Sequence, residues 1–163
     1  MHGRLTAGAA LALFLSLACL LLAGCGSGGS TTTTESSTSI SKSEFVAKGN
    51  AVCAAGDRTQ EAKVEAFLKA QGLKANEEPT KAQLVEVTEA VFVPSVQNQI
   101  DGLTALGAPS GEEQRVNSAL TGAQEAINKI KANPQMAFAK EPPFHAVAQE
   151  LHALGLTKCA PNG

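Results

Sequence analysis

Apolar residues between Ser41 and Gly163 recur at every third or fourth position in four separate stretches. This period places the apolar residues of each stretch on one face of a helix. The segments between the stretches are short and rich in Gly, Pro and Asn, as is typical of connections between antiparallel helices. The pattern therefore predicts an all-α fold, a four-helix-type bundle in which one helix is kinked by proline.

The first predicted helix has a complete start signal. Ser41 is in the N-cap position and Glu44, three residues later, completes a capping box. Ile40 is placed to pack against Phe45, and Gly72 ends the helix. Two glycines on the predicted buried stripe would let a neighbouring helix approach closely. The stripe consists of Phe45, Gly49, Val52, Cys53, Gly56, Val64, Phe67 and Leu68.

The second predicted helix begins with a capping box formed by Thr80 and Gln83, and Gly107 ends it. Pro94 lies inside it and is expected to kink or split the helix near Val93, because proline lacks a backbone N–H. The predicted apolar face consists of Leu84, Val91, Phe92, Val96, Ile100 and Leu103. A strand remains an alternative for the first half, where valines alternate at Val85, Val87, Val91 and Val93.

The last two helices have equally regular faces. Ser110 and Glu113 predict a third capping box, and the apolar seam that follows is Val116, Leu120, Ala123, Ile127 and Ile130. Met136 and Phe138 are expected to plug the core from the next loop. The fourth helix presents Phe144, Val147, Leu151 and Leu154, and Gly155 should close it in a Schellman motif with Leu156 touching Leu151.

The N-terminal segment predicts a different kind of element. Residues 1–24 have the composition of a secretory signal peptide, with a lone Arg4 before an apolar run. An uncleaved signal anchor is the alternative, since the run is long enough to span a bilayer. The motif LAGC, which ends at Cys25, resembles the lipobox of bacterial lipoproteins. This resemblance implies a diacylglyceryl thioether on Cys25 and cleavage between Gly24 and Cys25.

Three segments follow from this interpretation: a signal peptide (1–24), a lipidated Cys25 with a disordered Ser/Thr/Gly linker (25–40), and the helical domain (41–163). The linker has too few apolar residues to fold and should act as a flexible tether. Acyl chains hold a protein on a membrane through their buried methylenes. The expected location is therefore the extracytoplasmic face of the cell membrane.

Two cysteines remain after the leader and Cys25 are accounted for, namely Cys53 and Cys159. An even pair in an exported domain is most simply a disulfide. Two unrelated buried thiols are the alternative. A bridge would close a loop of about 105 residues and stabilise the fold by up to about 4.7 kcal/mol on the chain-entropy model.

Composition and motifs argue against several functions. Without the leader, 12 basic and 15 acidic residues leave a formal charge of −3, the wrong sign for binding nucleic acid. His145 and His152 are seven positions apart, about 10.5 Å along a helix, which is too far to share a metal. No nucleophile with a base and no phosphate loop is present. We expect no cofactor and no enzymatic activity.

The domain resembles a family of uncharacterised lipoproteins of high-GC actinobacteria. The resemblance rests on SKSEFVAK (41–48), AVCAA (51–55), IDGLTALGAPS (100–110) and LGLTKC (154–159). It implies the lipid anchor, the helical bundle and the pairing of Cys53 with Cys159. It implies no activity and no site.

The function expected from these features is a lipid-anchored binding or interaction module of the cell envelope. Its partner would be another envelope protein or a small apolar ligand. A slot for such a ligand beside the kinked helix would be lined by Val91, Phe92, Met136, Phe138 and Phe144. The alternatives are that these five residues form plain core, that the protein passively spaces envelope layers, or that it is an enzyme.

Overall fold

The computed structural model describes residues 39–74 and 76–160, and the regular elements within them are all helical. In chain order they are α1 (Lys42–Ala70), α2 (Lys81–Val87), a π-helical turn (Thr88–Phe92), α3 (Val93–Leu106), α4 (Glu113–Ala132), a 3-10 helix (Pro134–Phe138) and α5 (His145–Ala153). Because α2, the π-helical turn and α3 are continuous, the bundle has four helices, and the predicted all-α class is confirmed. The predictions for the signal peptide, Cys25 and most of the tether lie outside the described residues.

The ends of α1 follow its sequence signals. The Ser41 hydroxyl accepts a hydrogen bond from the Glu44 backbone N–H at 3.2 Å, which satisfies one free donor at the helix start. The Glu44 carboxylate makes a salt bridge on the helix surface instead of returning to Ser41, so only half of the capping box forms. At the other end, Gly72 has a φ of 83° and the Leu73 N–H donates to the Leu68 carbonyl, which closes a Schellman motif.

The long second helix begins as predicted. The Thr80 hydroxyl accepts a hydrogen bond from the Gln83 N–H at 3.3 Å, and the Gln83 side chain accepts one from the Thr80 N–H at 2.9 Å. Both halves of this capping box are therefore present. The valine-rich segment that follows is helical, so the strand alternative is wrong.

Pro94 disturbs this helix at the predicted place. The backbone widens into the π-helical turn just before the proline, and there the Val93 N–H donates to the Thr88 carbonyl five residues back. In a regular α-helix the Pro94 ring would clash with the Ala90 carbonyl, and Pro94 has no N–H to offer it. The wider turn accommodates the ring without ending the helix.

The start of α4 differs from the prediction. The helix begins at Glu113 with Glu112 in the N-cap position, and Ser110 makes no cap. The Ser110 hydroxyl instead bonds the Ser39 hydroxyl at 2.7 Å. Gly111 has a φ of 83°, which turns the chain, and its N–H donates to the Glu113 carboxylate at 2.7 Å. Because Gly111 adopts this left-handed conformation, the helix cannot start until after it.

In the loop before α5, the prediction that Met136 and Phe138 plug the core is only partly confirmed. Met136 is half-buried, whereas Phe138 is 42% exposed. In a 3-10 helix, residues three apart lie on the same side, so Phe138 shares the exposed side of Gln135. The predicted Schellman closure of α5 is confirmed, since the Leu156 N–H donates to the Leu151 carbonyl at 2.9 Å.

The helices pack in series: α1 against α3, α3 against α4, and α4 against α5. Within the described residues, α1 and α5 have at most a marginal contact. The predicted close approach occurs where α1 crosses α3, because Gly56 leaves room for Gln99 and Gly102 leaves room for Val52. The main core consists of Phe45, Cys53, Ile100, Leu103, Val116, Ala119, Ala123, Ile127, Val147, Leu151, Leu154, Leu156 and Ala160.

The tail after α5 (residues 155–160) joins the two ends of this series. Leu156 is 1% exposed and occupies the space above Gly49, where a Cβ would lie only 2.5 Å from its methyl group. The Asn50 side chain donates to the Gly155 carbonyl at 2.9 Å and accepts from the Lys158 N–H at 2.7 Å. Beyond these contacts lies the disulfide between Cys53 and Cys159.

The predicted pairing of the two cysteines is confirmed. Their sulfur atoms are 2.00 Å apart and their Cα atoms 5.0 Å apart, which is the geometry of a disulfide. The bridge spans 106 positions of the chain and attaches the tail to the middle of α1.

Candidate functional site

A cleft of about 240 Å³ lies between α1 and α5, which within the described residues have at most a marginal contact. All four helices and the tail contribute residues to its wall. The residues that line it are Cys53, Asp57, Gln60, Phe92, Val96, Gln99, Ile100, Leu103, Leu120, Ala123, Phe144, Val147, Ala148, Leu151 and Cys159.

The cleft wall is apolar but not closed to solvent. Five of its apolar side chains are only partly buried although they pack against the core: Phe92, Val96, Leu120, Phe144 and Ala148. Partly buried apolar groups around a concave space can lose more water-exposed area if a molecule enters. The cleft is therefore suited to a small apolar group.

Two aromatic rings form one side of the cleft. The rings of Phe92 and Phe144 have centroids 6.2 Å apart and meet edge to face at 78°. Phe92 is the last residue of the π-helical turn, and the positions that follow it on the cleft wall, Val96, Gln99, Ile100 and Leu103, keep a helical spacing. The widened turn before Pro94 thus comes directly before the face of α3 that lines the cleft.

Polar groups line the cleft on the α1 side. Asp57 and Gln60 follow Cys53 at the spacing of one helix face, and Gln99 reaches them from α3. The Gln99 side-chain amide donates to the Asp57 carboxylate at 3.3 Å. Gly56 makes this possible, because a Cβ there would lie 2.5 Å from the Gln99 amide nitrogen. Among the lining residues, Asp57 is the one with an ionisable side chain.

Only two of the five residues predicted to line the slot lie on the cleft wall. Phe92 and Phe144 line the cleft as expected. Val91 is 5% exposed but does not reach the cleft wall, since it precedes Phe92 on a different face of the helix. Met136 and Phe138 belong to the 3-10 helix and are not on the wall.

The α1 side of the cleft was missed by sequence reasoning. A usable signal was present, because Cys53, Asp57 and Gln60 are at positions i, i+4 and i+7 of a helix. The position of the Cys159 half of the disulfide, in contrast, depends on how the tail folds back.

Charged residues form one linked group where α4 begins. The Glu112 carboxylate bonds both Lys42 of α1 and Arg115 of its own helix. The hydrogen bond from Lys42, helped by the positive charges of Lys42 and Arg115, holds the pKa of Glu112 below its usual value. This group joins helix starts and touches no residue of the cleft wall.

In residues 39–74 and 76–160, no three His, Cys, Asp or Glu side chains gather in a way that would hold a metal ion. His145 and His152 are both exposed on α5. No helix in this part of the chain is long and apolar enough to cross a membrane.

Comparison of the chain with protein-family models, with curated proteins and with solved structures found no match in any of the three. The cleft and the sequence motifs are therefore the basis for the functional proposal below.

Proposed function

We propose that this protein is a lipid-anchored module on the extracytoplasmic face of the cell membrane that binds a small apolar ligand in the cleft. The observation that carries the proposal is the cleft itself, an apolar space between α1 and α5. Binding, rather than catalysis, is the function that such a wall supports.

The size of the cleft limits the ligand. Clefts for drug-sized molecules have volumes of roughly 300 to 1,000 Å³. The volume here, about 240 Å³, lies below that range. The cleft is therefore suited to a ligand smaller than a drug-sized molecule, such as a single short alkyl chain.

The proposed anchor rests on the LAGC motif at residues 22–25 and on the apolar run before it. Small residues before a cysteine suit both thioether formation on that cysteine and cleavage just before it. The disulfide between Cys53 and Cys159 supports a location outside the cytoplasm, because stable disulfides are rare in reducing compartments.

Intact-mass analysis of the protein from its native host tests the anchor. The expected chain begins at Cys25 and carries the added mass of acyl chains. Cys25→Ala should lose the added acyl mass and keep residues 1–24 attached, whereas the matched control Ser27→Ala should be lipidated and cleaved like the parent. An unprocessed chain that begins at Met1, or an unmodified chain in the medium, would contradict the anchor.

Methyl NMR tests the cleft. The full chain with Cys25→Ala is titrated with 1-heptanol, so that no acyl chain of its own competes for the site. Methyl signals of Leu103 and Val147, both on the wall, are expected to shift in a saturable way. Ala148→Phe puts a ring into the cleft and should abolish these shifts.

The matched control is Ala146→Phe, which adds the same ring on the exposed face of the same helix and should bind 1-heptanol like the parent. Circular dichroism shows whether both variants keep the helical fold. Saturable shifts that persist in Ala148→Phe, or no shifts in the parent, would reject the cleft as the binding site.

A further inference from the structure

We propose that the ligand of the cleft is a small aliphatic amine, which binds in its ammonium form with its nitrogen beside Asp57 and its carbon chain between Phe92 and Leu103. This inference rests on the proposed function, because it names the chemical class of the ligand for the same cleft. It is carried by the Asp57 carboxylate, which is the single charge on the wall, and by the neighbouring side-chain amide of Gln99.

Asp57 has no cation to balance it within the described residues. It takes part in none of the salt bridges there, which use Glu112 and Glu44 as their carboxylates. Its sequence neighbour Arg58 lies on another face of α1, beside Ala55 and Ala62. A half-buried carboxylate without a cation attracts a positive charge into the space in front of it.

The geometry around Asp57 offers more than one acceptor. Asp57 Oδ1 accepts from the Gln99 amide, and among the described residues Oδ2 accepts nothing. The Gln99 nitrogen is the atom bonded to Asp57, and within residues 39–74 and 76–160 the Gln99 carbonyl oxygen accepts no hydrogen bond, so it can serve as a second acceptor. A primary ammonium has three N–H donors and no acceptor, which suits a cleft lined by a carboxylate and an amide carbonyl.

Gly56 holds this arrangement in place. Side-chain atoms of Gln99 lie 2.5 to 2.7 Å from where a Cβ of residue 56 would be. With any other residue at position 56, the Gln99 side chain would have to shift from this position. The position of the Gln99 amide beside Asp57 therefore depends on the glycine at position 56.

The same features disfavour other ligand classes. A carboxylate or phosphate would meet the Asp57 charge with no compensating cation on the wall. A neutral alcohol would fill the apolar part but would leave the charge of Asp57 unpaired. The volume of about 240 Å³ also disfavours large ligands, since clefts for drug-sized molecules have roughly 300 to 1,000 Å³.

The test compares three probes of the same chain length at pH 7 and low salt: heptylammonium, 1-heptanol and heptanoate. Each is titrated into the full chain with Cys25→Ala, and dissociation constants come from the methyl shifts of Leu103 and Val147. Heptylammonium should bind about fivefold more tightly than 1-heptanol, the scale of a partly exposed ion pair. Heptanoate should bind most weakly.

Asp57→Asn keeps the shape of the side chain and removes its charge. It should bring heptylammonium to within about twofold of 1-heptanol and leave 1-heptanol unchanged, since only the charge term is lost. The matched control Asp101→Asn removes a carboxylate from the exposed face of α3 and should keep the fivefold ratio. Added salt should lower the ratio in the parent, because mobile ions screen the pair.

Gly56→Ala is a second, independent variant, which should reduce the ratio by displacing Gln99 while the Asp57 charge remains. Equal affinities for heptylammonium and 1-heptanol in the parent, or a preference that Asp57→Asn leaves intact, would overturn the amine assignment while the cleft still binds. If none of the three probes shifts the cleft methyls, the proposed function fails, and this assignment with it.

Discussion

The two ends of the bundle are held together by different means. At the disulfide end, which we define as residues 42–56 of α1 with the tail 155–160, α1 has three buried residues: Phe45, Gly49 and Cys53. At the loop end, defined as residues 57–74 with α2 and the 3-10 helix, the second half of α1 has no buried residue and α2 has only Val87. The 3-10 helix has none.

The two ends also differ in the range of the contacts that hold them. The disulfide end is closed by contacts between residues more than 100 positions apart, including a covalent bond. The loop end consists of half-buried helix faces with local hydrogen bonds. The cleft lies next to the disulfide, where the tight packing gives way to the open side between α1 and α5. The binding proposed for the cleft would use this existing space, with close packing on one side of it.

The largest effect should come from cutting the covalent link of the disulfide end. Replacing both Cys53 and Cys159 by Ala is expected to lower the free energy of unfolding by about 4 kcal/mol, because the unfolded chain regains the entropy of a 106-residue loop. Urea unfolding of parent and variant measures this loss. Oxidised and reduced parent should also migrate differently on a non-reducing gel. Equal stabilities would show that packing alone closes this end.

A pair of leucine truncations compares the packing of the two ends. Leu156→Ala should cost about 3 kcal/mol, because Leu156 is 1% exposed and leaves a cavity above Gly49. Leu68→Ala, on the half-buried loop end of α1, should cost about 1 kcal/mol. Thermal and urea unfolding measure both. If Leu68→Ala proved as costly as Leu156→Ala, the contrast between the ends would be lost.

The hydrogen bonds from Asn50 to the tail should have a smaller effect on the free energy of unfolding. Asn50→Ala removes the two hydrogen bonds to Gly155 and Lys158 and should cost about 1 to 2 kcal/mol. The control is Gln71→Ala at the loop end, where an exposed bond to Glu86 is lost and the change should stay within about 0.5 kcal/mol. Hydrogen exchange of the tail amides should accelerate in Asn50→Ala alone. Unchanged exchange of the tail amides would show that Asn50 does not hold the tail in place.

The smallest effect concerns the surface ion group of Glu112. Its pKa is lowered in the folded state by Lys42 and Arg115, so the ionised form is favoured by folding. The resulting stabilisation is present above the pKa of the unfolded carboxyl and is lost as the pH falls through the folded pKa. Glu112→Gln should therefore make the free energy of unfolding change less with pH in the acid range. Near pH 7 it should lower this free energy slightly. Urea unfolding at a series of pH values measures both. Superimposable acid profiles would contradict this linkage.

Most helix boundaries were predictable because their signals are local. The Thr80 and Gln83 capping box, the stop at Gly72 and the Schellman closure at Gly155 each depend on residues within one or two turns. Ser110 shows the limit of such reasoning. Its capping box was plausible by spacing, but Gly111 turns the chain and the hydroxyl pairs with Ser39, 71 positions away.

The candidate site was less predictable, because its wall is assembled from four helices and the tail. Phe92 and Phe144 were identified since both lie on regular apolar faces. Phe138 was assigned to the slot on hydrophobicity alone, and the eclipsed 3-10 turn exposes it instead. Asp57 and Gln99 come from helices whose mutual register depends on Gly56 and Gly102, and no local pattern reports that register.

The sequence by itself determined the helical class, most of the helix limits, the place where Pro94 disturbs the second helix and the pairing of the two domain cysteines. Helix periodicity and capping act over a few residues, so they can be recognised from the sequence alone. The tertiary structure alone decided that α1 and α5 stay apart, that the tail bridges them and that Asp57 faces the resulting cleft. Those features depend on how whole helix faces fit against each other at long range, where volume and close approach outweigh any local preference.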